Sequence, residues 1–239
     1  MDSTGYITLT RQSGLMREMQ VVANNIANAA TTGFRQEGLV FSEHVKGIQG
    51  GASLSMGHGN VRKTSHVQGT LEATGGSFDF AIEGNGFFLI ETPDGERLTR
   101  AGSFSPNGEG DLVTYDGHRV LDAGGAPIFI PPNAETIGVG PDGTISADGD
   151  FVGQIAVVQP NDAQAMERAK GVMFRADDGF EPSETARVMQ GFLEASNVDP
   201  ISQLARMIEV QRAYEMGQSF LDSEDERVRR AMDAMMKSN

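Results

Sequence analysis

The chain has 239 residues, with 33 acidic against 19 basic side chains and a formal charge of −14. That length allows one large domain or two modest ones, and the charge argues against nucleic acid or an anionic membrane surface as a partner. Cysteine is absent, which excludes disulfides and thiolate metal sites. The first 35 residues hold three bases against two acids, and residues 190–239 hold six bases against nine acids, which leaves −12 for 36–189. The N-terminal stretch has neither a basic n-region nor an apolar h-region, so no Sec-type signal peptide is expected. Apolar runs such as Phe87-Phe88-Leu89-Ile90 are too short to insert in a membrane.

In chain order, Leu15, Met19, Val22 and Ile26 alternate steps of four and three, the seam of a helix. Thr31-Thr32-Gly33 is expected to end that helix, with Gly33 at the left-handed C′ position. Within it, Asn24, Asn25 and Asn28 interrupt an apolar stretch. Either they belong to a fraying, capped helix end, or they are buried amides that fix helix register. Residues 47–76 are glycine-rich and weakly patterned. From 76 to 189, short apolar runs alternate with Pro93-Asp94-Gly95 and with Asp-Gly pairs at 116–117, 142–143 and 148–149. Such pairs favour tight hairpins, so this centre reads as all-β. In the last zone, Asp199 is a plausible N-cap with Pro200 at N1. Met207, Val210, Tyr214, Gly217, Leu221, Glu224, Val228, Ala231 and Met235 then keep a three-four alternation. A second apolar stripe holds Ile201, Leu204, Ile208, Ala213, Met216 and Phe220. The fold class is α+β, with long N- and C-terminal helices pairing as a coiled-coil-like domain around a central all-β domain. The helices either cover one another in an ordinary domain or form an assembly pair.

Sites for chemistry are poorly supported. Gly138-Val139-Gly140-Pro141-Asp142-Gly143 has the spacing of a dinucleotide loop, but strand and turn residues follow it where a helix is required. His44, His58, His66 and His118 show no metal-ligand spacing. Asp142, Asp148 and Asp150 lack the twelve-residue calcium loop and read as turn residues. No two carboxylates stand out as an acid–base pair. No cofactor is expected, and the chain is read as a non-enzyme. Its rivals are a secreted β-rich binding module with a helical stalk and a carbohydrate-active enzyme.

The segments Val21-Val22-Ala23-Asn24-Asn25-Ile26-Ala27-Asn28 and Thr32-Gly33-Phe34-Arg35 resemble the flagellar basal-body rod and hook family. So do Ala81-Ile82-Glu83-Gly84-Asn85-Gly86-Phe87-Phe88, Leu98-Thr99-Arg100-Ala101-Gly102-Ser103-Phe104 and Gln190-Gly191-Phe192-Leu193-Glu194-Ala195-Ser196-Asn197-Val198. Length and the Asn28–Gly33 segment are most like proximal-rod members, with distal-rod members the alternative. The resemblance implies a rod-core domain made of 1–35 and 190–239, a variable connector at 36–75 and a β-rich domain at 76–189. It further implies that the terminal helices line a hollow axial tube with the β domain outside. Partners would be copies of this chain, other rod proteins and the flagellar type III export apparatus, with no nucleic acid and no membrane insertion. The location would be the basal-body rod in the periplasmic space, reached without a cleavable signal. The expected assembly residues are Leu15, Met19, Val22, Asn24, Asn25, Ile26 and Asn28 on the first helix. On the last helix they are Leu204, Met207, Ile208, Val210, Gln211, Tyr214, Leu221 and Val228.

Overall fold

The structure is a computed structural model that describes residues 3–46 and 54–237, with the side chains of 8–40 and 63–236. The chain forms two compact units, one from Met1–Ala27, Glu37–Ser65 and Asp199–Asn239, the other from Asn28–Gln36 and His66–Val198. The segment 36–75 is divided between them.

The first unit contains helix α1 (Ser3–Ala27), a hairpin of β1 (Glu37–Lys46) and β2 (Leu54–Thr64), and helix α2 (Pro200–Lys237). Asp199 caps α2 as its sequence position predicts. Its carboxylate accepts the Ile201 N–H and the Ser202 hydroxyl, and these bonds hold it below the usual carboxylate range. Pro200 takes the first helical position, where its missing N–H costs nothing. The helices run antiparallel, because Gln12, Glu18 and Asn25 of α1 meet Tyr214, Arg206 and Gln203 of α2 in reverse order. The hairpin pairs Glu37 with Thr64 through to Lys46 with Leu54, with one irregularity between Val40 and Phe41. A two-stranded ribbon is marginal alone, and this one lies beside α1. His44 and His58 fall in it, where their side chains lie outside the described residues.

The second unit is β-rich. Its largest sheet centres on strand Phe87–Thr92, which pairs antiparallel with Gly95–Thr99 on one side and with Arg119–Val120 on the other. Phe88 and Ile90 enter one core cluster with Phe80, Phe104 and Ile155, while Phe87 and Leu89 enter another with Leu98, Leu121 and Phe174. Burial on both faces explains an unbroken apolar run where a half-exposed strand would alternate. Beside this sheet, Ile137–Val139, Thr144–Ala147 and Asp150–Gln154 form a three-stranded antiparallel sheet. Its second turn has positive φ at both Asp148 and Gly149, the geometry of the tight Asp-Gly hairpin.

α1 ends earlier than its sequence suggests. The helix stops at Ala27, and turns through Asn28–Phe34 follow, with the Thr31 N–H bonded to the Asn28 carbonyl. Gly33 does adopt φ +70, but not as a helix cap. A Cβ there would lie 2.3 Å from the Ala101 nitrogen, so backbone contact as well as φ demands glycine.

Two glycine substitutions separate strain from collision. Gly117 has φ +82 and open space around it, so Gly117→Val should cost about 1–2 kcal/mol from backbone strain alone. A Cβ on Gly102 would lie 1.7 Å from the Phe80 carbonyl oxygen. Gly102→Ala should therefore prevent the second unit from closing, read as loss of the cooperative urea transition.

Candidate functional site

The residues expected to join the helices divide by burial. Val22, Asn25 and Val210 are buried, and Leu15, Met19, Asn24, Ile26, Asn28, Met207, Tyr214, Leu221 and Val228 are half-buried. Leu204, Ile208 and Gln211 are exposed. The covered positions of α2, from Gln203 through Met207, Val210, Tyr214, Gly217, Leu221 and Glu224 to Val228, follow the three-four seam without a break. The second stripe divides: Ile201, Leu204 and Ile208 face outward at 79%, 52% and 51% exposed, whereas Ala213 is half-buried and, with Met216 and Phe220, lines a groove against Thr8, Arg11, Gln12 and Leu15 of α1. α2 also outruns its partner. Counting from Gln12 against Tyr214, the start of α1 lies opposite about residue 223–226 of α2. Ala231 and Met235 carry the seam beyond that point and are exposed.

Polar joints are interleaved with this seam, buried at Asn25 and Gln203 and open to water at Arg206. The Asn25 side-chain amide nitrogen donates to the Glu37 carbonyl at 2.7 Å and to Gln203 Oε1 at 3.1 Å, and its oxygen accepts the Glu37 N–H at 2.9 Å. One side chain thus completes the backbone of the residue that opens β1 and ties it to α2. A heptad away, Arg206 Nε donates to Glu18 Oε1 at 2.7 Å, and this bond holds the guanidinium above its ordinary value. Gln12 Nε2 donates to the Tyr214 carbonyl at 3.2 Å, and Gly217 makes the room, since a Cβ there would sit 3.0 Å from Gln12 Nε2. Asn28 does something else: its side-chain oxygen accepts the Thr31 hydroxyl in the turn after the helix. The three asparagines are therefore not one device.

The second unit holds a buried ion cluster. Glu194 Oε2 accepts from Arg100 Nε at 2.7 Å, and Glu194 Oε1 pairs with Arg35 Nη2 at 2.9 Å and accepts the Gly69 N–H at 3.1 Å. Arg100 uses its remaining nitrogens on the carbonyls of Gly86, Ile82 and Gly84. Arg35 Nη1 donates to the carbonyls of His66 and Val67. All three side chains are at most 4% exposed, so two guanidinium groups share one carboxylate away from water. Burial pulls Arg35 down to about 10 and lowers Arg100 as well, against the opposing pull of Glu194 on both. Sequence reasoning singled out neither this cluster nor Gln12, Glu18, Gln203 and Arg206. The available signal was a charged residue within each of three motifs, Arg35, Arg100 and Glu194.

The apparent dinucleotide loop is hairpin turn. Gly138–Gly143 runs from strand Ile137–Val139 into strand Thr144–Ala147, with the Gly143 N–H on the Gly140 carbonyl. Asp142 accepts the Thr144 hydroxyl and N–H, and Asp148 accepts the N–H groups of Thr136 and Glu135. Those bonds hold both carboxyls below their usual range. Asp150 lies exposed at the start of a strand, and His118 sits in the turn after Thr114, its N–H on the Thr114 hydroxyl. His66 is exposed and gives its carbonyl to Arg35. Among the described residues, no group of three His, Cys, Asp or Glu could hold a metal ion.

Comparison with known proteins accounts for where these features fall. Residues 6–35 match the family model for flagella basal body rod proteins, residues 81–147 the flagellar hook protein FlgE/F/G D1 domain, and residues 189–234 the flagellar basal body rod FlgEFG protein C-terminal model. The chain is 39% identical to the flagellar basal-body rod protein FlgF of Caulobacter vibrioides over the full length of both. It is 38% identical to FlgF of Mesorhizobium japonicum, over 90% of each chain. Likeness to FlgG is lower, at 31% identity with the Bacillus subtilis protein over 92% of this chain and 94% of the other. The chain belongs to the flagellar basal-body rod protein family, is FlgF-like within it, and is a structural protein and not an enzyme.

Proposed function

We propose that this chain is a subunit of the proximal rod, stacking through its terminal helices with copies of itself and with other rod proteins into a hollow axial tube needed for motility. The observation that carries the reading is the outer face of α2, where Ile201, Leu204 and Ile208 stand exposed opposite a seam that is already covered. A contiguous apolar face on a helix marks a surface that another molecule covers. Contacts between unlike surfaces that do not close into a ring build a helical filament. In this reading Leu15, Met19, Val22 and Ile26 pack on Met207, Val210, Tyr214, Leu221 and Val228 within the subunit. Asn24, Asn25 and Asn28 order the end of α1, and Leu204, Ile208 and Gln211 face neighbouring subunits. The chain reaches the periplasmic space through the flagellar type III export apparatus. Neither nucleic acid nor a bilayer is a partner, in keeping with the charge of −14 and with helices too short or too polar to cross a membrane among the described residues.

The test is Ile208→Glu in a strain that lacks the native gene. An exposed site leaves the thermal stability of the purified subunit within about 0.5 kcal/mol. Export of the subunit should persist while swimming is lost. Normal swimming with this variant would remove the outer face of α2 from the assembly.

A further inference from the structure

The sequence contains two Asn-Gly pairs, Asn85-Gly86 and Asn107-Gly108. In such a pair the glycine backbone nitrogen can reach the asparagine side-chain carbon, because no Cβ shields it. The two sites differ in what holds them. Asn107 Oδ1 accepts the N–H groups of Glu109 and Asp111, both at 2.9 Å, which pins the side chain in its turn. Asn85 is exposed, and among the described residues its side-chain amide and the Gly86 N–H take part in no hydrogen bond.

The peptide group between Asn85 and Gly86 is moreover polarised. The Asn85 carbonyl accepts from Gln159 Nε2 and from the Ser183 hydroxyl, each at 3.1 Å. Donors on that oxygen stabilise the negative charge that collects there when the Gly86 nitrogen of the same peptide gives up its proton. Arg100 adds to this, with Nη1 2.7 Å from the Gly86 carbonyl oxygen and Nη2 3.0 Å from that of Gly84. Two buried arginines against one glutamate leave the neighbourhood net positive.

We infer that Asn85 is a site of spontaneous deamidation, activated by its folded surroundings. Gly86 is buried beside the exposed Asn85; its nitrogen loses its proton to hydroxide that enters past the Asn85 side chain, and forms a bond to the Asn85 side-chain carbon. The bond from that carbon to Nδ2 breaks, and the nitrogen takes up protons from water and leaves as ammonia. Water then opens the cyclic imide at either carbonyl, giving aspartate at position 85 or its isoaspartyl isomer. The isomer lengthens the main chain by one carbon between the Gly84 and Gly86 carbonyls, which both hold Arg100. The modification therefore loosens the buried ion cluster from its rim.

The experiment incubates the full chain at mildly alkaline pH and follows both sites by peptide mapping, with fragmentation that separates aspartate from isoaspartate. Asn85 should deamidate several-fold faster than Asn107 in the folded chain, and the two rates should converge in urea. Ser183→Ala should slow Asn85 and leave Asn107 unchanged. Equal or inverted rates in the folded chain would overturn the inference. A difference that persists in urea would overturn it as well, by locating the cause in local sequence.

Discussion

Replacing Glu194 by alanine is expected to destabilise the β-rich unit by about 3–5 kcal/mol, because it leaves the guanidinium groups of Arg35 and Arg100 buried with no counter-ion. Against a total stability of about 5–15 kcal/mol, that removes from about a fifth to all of the margin. The Gly69 N–H loses its acceptor too. Glu194→Gln should be milder, since it keeps an acceptor for Gly69 and for one arginine. The control is Glu91→Ala, which breaks an ion pair with Arg119 in which both side chains are more than two-fifths exposed. It should cost at most about 1 kcal/mol. Urea unfolding of the three variants makes the comparison. A loss below about 1 kcal/mol for Glu194→Ala would mean that the arginines find other partners or water.

Asn25→Leu is the second large effect, expected at about 2–5 kcal/mol in the helical unit. The substitution strands the Glu37 N–H, the Glu37 carbonyl and Gln203 Oε1 away from water, and each such group costs about 1–3 kcal/mol. Leucine's better helix propensity offsets only a few tenths of that. Asn28→Leu loses the side-chain bond from the Thr31 hydroxyl, in a turn that is only half-buried, and should stay within about 1 kcal/mol. Helix loss in urea, followed by circular dichroism, separates the two. In cells Asn25→Leu should impair swimming through a loosened helix pair while Asn28→Leu swims. Equal behaviour of the two variants would return them to a common role at the helix end.

Local signals foretold much of this molecule. Helix seams at Leu15–Ile26 and Met207–Val228, the cap at Asp199 and the Asp-Gly hairpins each depend on residues within a few positions of one another. The hairpin of β1 and β2 was not legible. Its strands mix glycines at 57 and 59 with charged and polar residues, so no period of two survives, and packing beside α1 decides the structure. The stripe at Ile201–Phe220 was visible as apolar. Which stripe turns inward depends on where α1 places Gln12, Glu18 and Asn25, which the spacing does not record. Arg35, Arg100 and Glu194 lie inside recognisable motifs, but nothing local marks them as a buried cluster, because a charged residue type is ordinarily exposed. Their meeting depends on pairings that span the chain. Asn25 was singled out for being anomalous, yet its partner is the backbone of Glu37 as much as the other helix.

The bond from the Gly33 N–H to the Glu194 carbonyl, 2.7 Å long, has a bearing on when this protein can fold. Strands Arg187–Gln190 and Phe192–Glu194 complete pairings with Phe80–Glu83 and Leu71–Ala73 in the same unit. Contacts of such sequence separation pay for loop closure before they return any stability, which makes folding slow. A chain delivered end-first through a narrow conduit cannot form this bond until residues 1–194 have emerged from one direction, or residues 33–239 from the other. The topology keeps the polypeptide threadable for most of its passage and delays its hardening until the far end is free.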